Sequence, residues 1–376
     1  MSLLLLLDDT PAPAYDAPFL SGALPAGLTY TNSSTVRTYF GADGLLKTAS
    51  ANEPIFEYDP VSRALLGMRW EMEQRTNLCL WNRDLTNAAW VSTNGTTLKN
   101  QTGIDGSANA ASSFTATAGN ATCLQSITSA SAARVTSFYL KRLVGTGTVN
   151  ITQDGTTWTA VTLTSAWQRF QVTATAANPV IGIRVVTSGD AVALDFAQHE
   201  TPATVASSPI ATTTAAVIRQ PDVLTATSIS PWYNQSEGTV LFEGIASIIG
   251  AANGGICAIT DGGNLNRHFI YLASAGAFNA TVNNGGTAQS SITTANAATA
   301  SAVFRVCHTY KANDFGAVLN GGTVGTDASG TIPTVNQIRF GATAFSGALP
   351  FMGYARRFQY FPTRLPNAQI QGMSRV

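Results

Sequence analysis

Two carboxylates facing each other across a cleft, one of them held protonated, would make this chain a glycoside hydrolase. Only two groups of residues come near that description. Glu71 and Glu73, with Arg75 beside them, are spaced by two and so share one face of a strand. That spacing reads as a solvated ion cluster rather than an acid and a base on opposite walls. Asp195 and Glu200 flank His199 at the end of a strand-like run, where capping or cross-strand pairing accounts for them equally well. The three histidines, His199, His268 and His308, stand far apart and at no metal-ligand spacing. No nucleophile elbow, phosphate-binding loop or dinucleotide fingerprint occurs. No catalytic residue and no metal-ligand set is therefore nominated, and the protein is expected not to be an enzyme. No cofactor is expected either, although Asp195 or Asp261 could supply oxygen to a structural calcium ion.

Recognition of sugars needs different residues: flat aromatic rings for pyranose faces, with amides and carboxylates reaching the hydroxyls. In the first half, Trp90, Tyr139 and Trp158 are candidate platforms, whereas Trp167, in an alternating strand near Phe170, reads as core. Trp158 ends the turn-like run Gln153-Asp154-Gly155-Thr156-Thr157. In the second half, the loop from Asp261 to His268 concentrates oxygens and a positive group. Asp261, Asn264, Asn266 and His268, joined by Asn283, are the candidates there; the plain alternative is an ordinary Gly/Asn hairpin.

The elements that must carry these residues are strands. Charged residues make up 11% of the 376-residue chain, against about 25% in an ordinary soluble domain. Thr, Gly, Asn, Ser and Ala replace them, which favours strands and tight turns over helices. Alternating apolar runs such as Phe170-Gln171-Val172-Thr173 and Val192 to Phe196 mark half-buried antiparallel strands. The fold class expected is all-β: two antiparallel sandwiches, or jelly rolls, in series after an irregular start. The boundaries expected are 1–65 for a Pro-rich N-terminal attachment segment, 66–228 for the first sandwich and 229–376 for the second. Asp261-Gly262, Asn284-Gly285 and Asn320-Gly321 mark hairpin turns in the second sandwich, and Pro366–Met373 is its one helical candidate.

Basic and acidic residues balance at 21 each without a basic run, which argues against nucleic-acid binding. Cys79, Cys123, Cys257 and Cys307 show no C-x-x-C spacing. They fit either buried free thiols or one disulfide in each half. Leu3–Leu7, followed by Asp8-Asp9, is too short and lacks the basic flank of a secretory signal. No run approaches the length of a membrane-spanning helix. Synthesis in the cytoplasm is expected, with Leu3–Leu7 covered by its own domain or by a partner subunit.

Several motifs add a resemblance. Asp43-Gly44-Leu45-Leu46-Lys47-Thr48-Ala49, Glu53-Pro54, Phe56 to Pro60 and Arg75-Thr76-Asn77-Leu78 follow one another in an order that resembles structural proteins of tailed phages and gene-transfer-agent-like particles, namely head-spike or tail-fibre components. Trp81 to Trp90, Ser137 to Lys141, Ala193 to Glu200 and Arg219-Gln220-Pro221-Asp222 are similar to a carbohydrate-binding-module-like jelly roll and its exit. Glu237-Gly238-Thr239-Val240, Asn320-Gly321-Gly322, Ile338 to Gly341 and Tyr360 to Leu365 resemble a concanavalin or laminin-G-like module. Met68-Arg69-Trp70-Glu71 departs from the plain aliphatic strand usual at that place. The resemblance implies a virion protein, present in several copies and held to other virion subunits by its N-terminal segment. It implies attachment to host-surface polysaccharide without catalysis. A purely structural connector and a polysaccharide depolymerase are the alternatives.

Overall fold

The computed structural model describes residues 11–201, 203–249, 253–344, 346–347 and 349–376. The Leu3–Leu7 run lies outside them. The chain is almost entirely antiparallel β-structure arranged as two sandwiches, and the helical candidate near the C-terminus forms a short α-helix, Asn367–Met373.

One sandwich packs an eight-stranded sheet (sheet I) on a seven-stranded sheet (sheet II). Sheet I runs in the order Gly325–Asp327, Phe315–Leu319, Val303–Lys311, Glu237–Ala246, Met352–Phe361, Leu65–Glu71 and Phe56–Tyr58, with Tyr15–Ala17 also on Met352–Phe361. Sheet II runs Thr29–Thr31, Val223–Ala226, Gln337–Phe340, Gly254–Thr260, Arg267–Leu272, Ala277–Asn284 and Thr287–Ala297.

The sheets do not divide at residues 65 and 228. The N-terminal region supplies strands to both sheets of the C-terminal sandwich instead of standing apart as an attachment segment. The cause is apolar burial: Ala17, Phe19, Tyr30, Met68 and Trp70 all enter that core. Trp70 stacks on Phe242 with ring centroids 5.5 Å apart and meets Phe19 edge-on at 5.7 Å. Met68 and Trp70 thus fill the core while the alternating Arg69 and Glu71 face the other way, which explains the unusual Met-Arg-Trp-Glu strand.

The central sandwich is inserted between these two contributions. Its sheet III runs Gln168–Ala176, Ala132–Val144, Ala191–Glu200, Ala111–Ala116 and Gly95–Gln101, with Arg75–Asn77 and Val217–Arg219 closing its base. Its sheet IV runs Thr159–Val161, Val149–Thr152, Val180–Val185, Ala121–Ser126 and Val91–Thr93. All four cysteines are buried and free. Burial pushes the Cys123 thiol up to about 11, so it behaves as a small apolar side chain.

Of the three expected hairpin turns one forms as expected, one shifts by a residue, and Asp261-Gly262 instead opens a longer loop between the paired Thr260 and Arg267. Asn320 and Gly321 both take positive φ (48° and 67°), as a tight hairpin turn demands. At Asn284-Gly285 the turn sits one residue later: Asn284 pairs with Thr287, and Gly285-Gly286 occupy the left-handed positions.

Candidate functional site

The outward face of sheet II brings together the side chains best suited to hold a ligand. Along Arg267–Leu272, strand alternation buries His268, Ile270 and Leu272 and leaves Arg267, Phe269 and Tyr271 half-exposed on the outer face. The Phe269 and Tyr271 rings are parallel to within 11°, with centroids 6.0 Å apart. The Arg267 guanidinium lies 4.2 Å over Phe269 and donates to the Thr343 carbonyl at 2.7 Å, which fixes the ring from above.

Cross-strand register extends this row sideways. Tyr271 pairs with Asn279, which pairs with Thr293; Phe269 pairs with Thr281, which pairs with Ser291; Arg267 pairs with Asn283. Thr293 donates to the Asn279 side-chain oxygen at 2.6 Å, orienting that amide. The result is a grid of two aromatic rings flanked by amides and hydroxyls. The five strands from Gly254 to Ala297 and at Gln337–Phe340 contain no carboxylate, and Arg267 and Arg339 are their only charged residues. Such a surface can stack a pyranose ring and hydrogen-bond its hydroxyls.

The Asp261 loop borders this face and is satisfied from within. Asp261 accepts from the Gly263 amide at 2.8 Å and from the Asn266 amide at 2.9 Å. Those bonds, Asn266 foremost, hold its carboxyl below the usual range. Asn266 in turn accepts from the Gly285 amide at 2.8 Å, tying the loop to the neighbouring hairpin, and Asn264 receives a 3.4 Å contact from Arg267. Asn283 belongs to the face itself. His268 does not: it points between the sheets, with its ring 4.4 Å from that of Tyr310 and 6.0 Å from that of His308. The loop reading failed for His268 because it is the second residue of a strand and takes the inward phase.

In the central sandwich, two of the three expected platforms are core. Trp90 is 5% exposed, and its indole nitrogen donates to the Trp81 carbonyl at 3.2 Å. Tyr139 faces outward from sheet III but is covered by the hairpin formed by Thr38–Phe40 and Leu46–Thr48, where Phe40 meets it edge-on at 6.3 Å. Trp158 remains half-exposed, with the Arg184 guanidinium 4.5 Å over its ring. Trp167 is half-buried against the Tyr139 cluster and carries Lys141 at 4.6 Å.

The carboxylates are structural. Glu71 is buried, not solvated: it accepts from Ser208 and pairs with Arg69 and Arg219, both at 3.3 Å. Its strand neighbour Glu73 pairs with Arg75 at 2.8 Å at a more exposed position. Asp195 is saturated by donors, receiving Nε and one terminal nitrogen of Arg83, whose other arm donates to Asp105, and the amides of Ile104 and Phe196. A carboxylate so filled with N–H groups is the opposite of a cation cage. His199 sits buried between Thr136 and Arg134, and burial, then Arg134, lowers its pKa to about 3. Glu200 receives the Ser207 amide at 2.9 Å.

Among known proteins, no family model matches this chain and no curated protein sequence is similar to it. Solved structures do resemble part of it. The CBM40 of Ruminococcus gnavus IT-sialidase, bound to α2,3-sialyllactose, superposes with a TM-score of 0.34 and 17% identity over 38% of this chain and 84% of that one. A heptameric SAP-like pentraxin from Limulus polyphemus gives 0.30 and 15% over 37% of this chain and 69% of its own. The NanB sialidase of Streptococcus pneumoniae gives 0.34 and 12% over 38% of this chain and 25% of its own. At these scores they do not say what this chain binds.

Phe269 and Tyr271 were not nominated from the sequence. The signal that would have found them is the run Arg267-His268-Phe269-Ile270-Tyr271-Leu272, which alternates cation or aromatic with core residue. The oxygen-rich loop just before it carries the more conspicuous ligand-like composition.

Proposed function

We propose that this chain is a non-catalytic carbohydrate-binding structural protein of a phage or phage-like particle, attaching it to host-surface polysaccharide. The observation that carries the binding reading is the parallel Phe269–Tyr271 pair flanked by Asn279, Thr281, Asn283, Ser291 and Thr293. The particle context rests on the ordered motifs between Asp43 and Leu78. No turnover is required: weak binding by each copy becomes firm attachment when many copies engage one cell at high effective concentration.

The experiment is binding of the purified protein to host cells with and without their surface polysaccharide, together with an assay for released oligosaccharide. Binding that needs the polysaccharide, is lost in the double variant Phe269→Ala/Tyr271→Ala and releases no product supports the reading. Product release would make the protein a depolymerase. Absence of binding to either cell type would leave a connector that braces other subunits.

A further inference from the structure

A second group of side chains, on the other sandwich, points to a different ligand chemistry. The five strands of sheet IV contain a single charged residue, Arg184, and no carboxylate. Arg184 faces outward and half-exposed, because the flanking Ile183 and Val185 are fully buried in the core. It is held in place twice: its guanidinium lies 4.5 Å over the Trp158 ring, and two of its nitrogens donate to the Asn150 side-chain oxygen at 3.3 and 3.2 Å. Asn150 is the residue paired with it across the sheet. Among the described residues Arg184 has no carboxylate partner, unlike Arg83 or Arg142 of the same sandwich. The nearby Asp154 is spent on other donors. It accepts from the Thr156 and Thr157 amides at 2.8 and 2.6 Å, closing the turn that delivers Trp158.

The neighbouring row supplies apolar contact. Thr152, Gly182, Leu124 and Val91 pair in sequence across the sheet, one row from Arg184. Gly182 is itself buried, and a Cβ there would meet the Cys123 carbonyl oxygen at 2.1 Å and the Leu124 side chain at 2.8 Å, so Leu124 lies against this position. Half-exposed Leu124 and 64%-exposed Val91 stand on one side of Gly182, and Thr152 stands on the other, at the start of the turn that delivers Trp158 to Arg184. A guanidinium fixed by a ring and an amide, with an unpaired outer edge, is ready for a planar carboxylate. The apolar groups near it suit the C–H face of a pyranose.

The geometry points to a hexuronic-acid subsite on sheet IV, with Arg184 receiving the sugar carboxylate and Trp158 and Leu124 contacting its ring. This subsite is separate from the Phe269–Tyr271 face and does not depend on it.

The test is titration of the full chain with trigalacturonate, with trimannuronate and with the methyl ester of each, followed by calorimetry and by the tryptophan indole resonances. At low salt at least one acid is expected to bind about tenfold more tightly than its ester. That preference should shrink as salt is added. Arg184→Gln should remove the preference with the melting temperature unchanged, and Trp158→Ala should weaken acid and ester together. Phe269→Ala should leave the preference intact. Equal binding of acids and esters, absence of binding by both acids, or a preference that survives Arg184→Gln would overturn the inference. A preference lost in Phe269→Ala but kept in Arg184→Gln would place acid recognition on sheet II and overturn it equally.

Discussion

Glu71 receives two hydrogen bonds from a single residue, Ser208: the backbone amide and the side-chain hydroxyl each reach one carboxylate oxygen at 2.7 Å. Glu71 ends a strand of the C-terminal sandwich, and Ser208 lies on the segment leaving the central one, so this contact joins the two units. Arg69 and Arg219 complete it, and Arg69 passes the network on to Glu57 at 2.6 Å. Asp222, bonded to Tyr30, Asn32 and the Glu71 amide, forms its second half. Deleting one member strands the others in a buried setting. Glu71→Ala is expected to cost about 3–5 kcal/mol of stability, because buried Arg219 loses its carboxylate partner and Arg69 keeps only Glu57. Calorimetric melting of the variant checks this, and a shift of less than a degree would show the network to be energetically idle.

The same network predicts an acid response with two signs. Burial alone would raise the Glu71 carboxyl, but Arg219, Arg69 and Ser208 outweigh it and bring it from 4.5 to about 2. A depressed carboxylate adds stability above its unfolded value and loses it as pH falls through the folded one. The Glu71 contribution should therefore fade between about pH 4.5 and 2. Burial raises Glu57 and Asp222, against the pull of Arg69 and Arg219. The fold favours their protonated forms, so acid adds stability as they titrate. Consequently Glu57→Gln should cost less at pH 7 than Glu71→Gln, and Glu71→Gln should flatten the melting profile below pH 4.5. Equal costs, or an unchanged profile, would contradict the assignment.

How much of this was legible in the sequence depends on what each residue's neighbours are. Strand phase was readable at Val192 and Leu194, which enter the core, but not at Phe196, where a positive φ and a register shift turn the side chain to the outer cluster with Tyr139. The hairpin at Asn320-Gly321 followed from turn chemistry alone. Tertiary cover was not readable. Tyr139 alternates as an exposed residue should, yet a hairpin nearly 100 positions earlier folds over it. Nor could local pattern show that Phe19 and Trp70 complete a core made chiefly by residues beyond 223. That pairing is long-range, and the Pro-rich stretch before it mimics a linker. The site suffered likewise: Trp158 kept its exposure, whereas Trp90 was claimed by the core of its own sandwich.

That last contrast is itself a prediction. Trp90 and Trp158 lie in one sandwich but do different work. Trp90→Ala should destabilise the protein by about 3–5 kcal/mol, the range for emptying a large aromatic site in a packed core. Trp158→Ala, at a half-exposed turn, should stay within about 1 kcal/mol. Chemical unfolding of both variants, followed through sheet signals, separates them; comparable losses would mean that Trp158 is also a core residue.

The buried histidines offer the sharpest test of the C-terminal core. His268 has no hydrogen-bond partner for either ring nitrogen among the described residues, and His308 only shares its Nδ1 with the Gly316 carbonyl at 3.2 Å. The two rings face each other, with Tyr310 beside them and Ser290 across the sheet. Burial, opposed only by the Gly316 bond, lowers His308 from 6.5 to about 4, and burial with His308 lowers His268 further. For a base whose folded pKa is depressed, the unfolded chain takes up the proton first. Stability is therefore complete above about pH 6.5 and drains away as pH falls toward 4. His268→Leu removes two unsatisfied polar atoms at little cost in packing, so its stability at pH 7 should lie within about 1 kcal/mol of the parent. Its loss of stability between pH 6.5 and 4 should be smaller than the parent's. Melting temperatures of both proteins across that range decide the matter: parallel curves would mean that the histidine pair does not set the acid limit, and a large loss at pH 7 would mean that His268 holds partners the fold conceals.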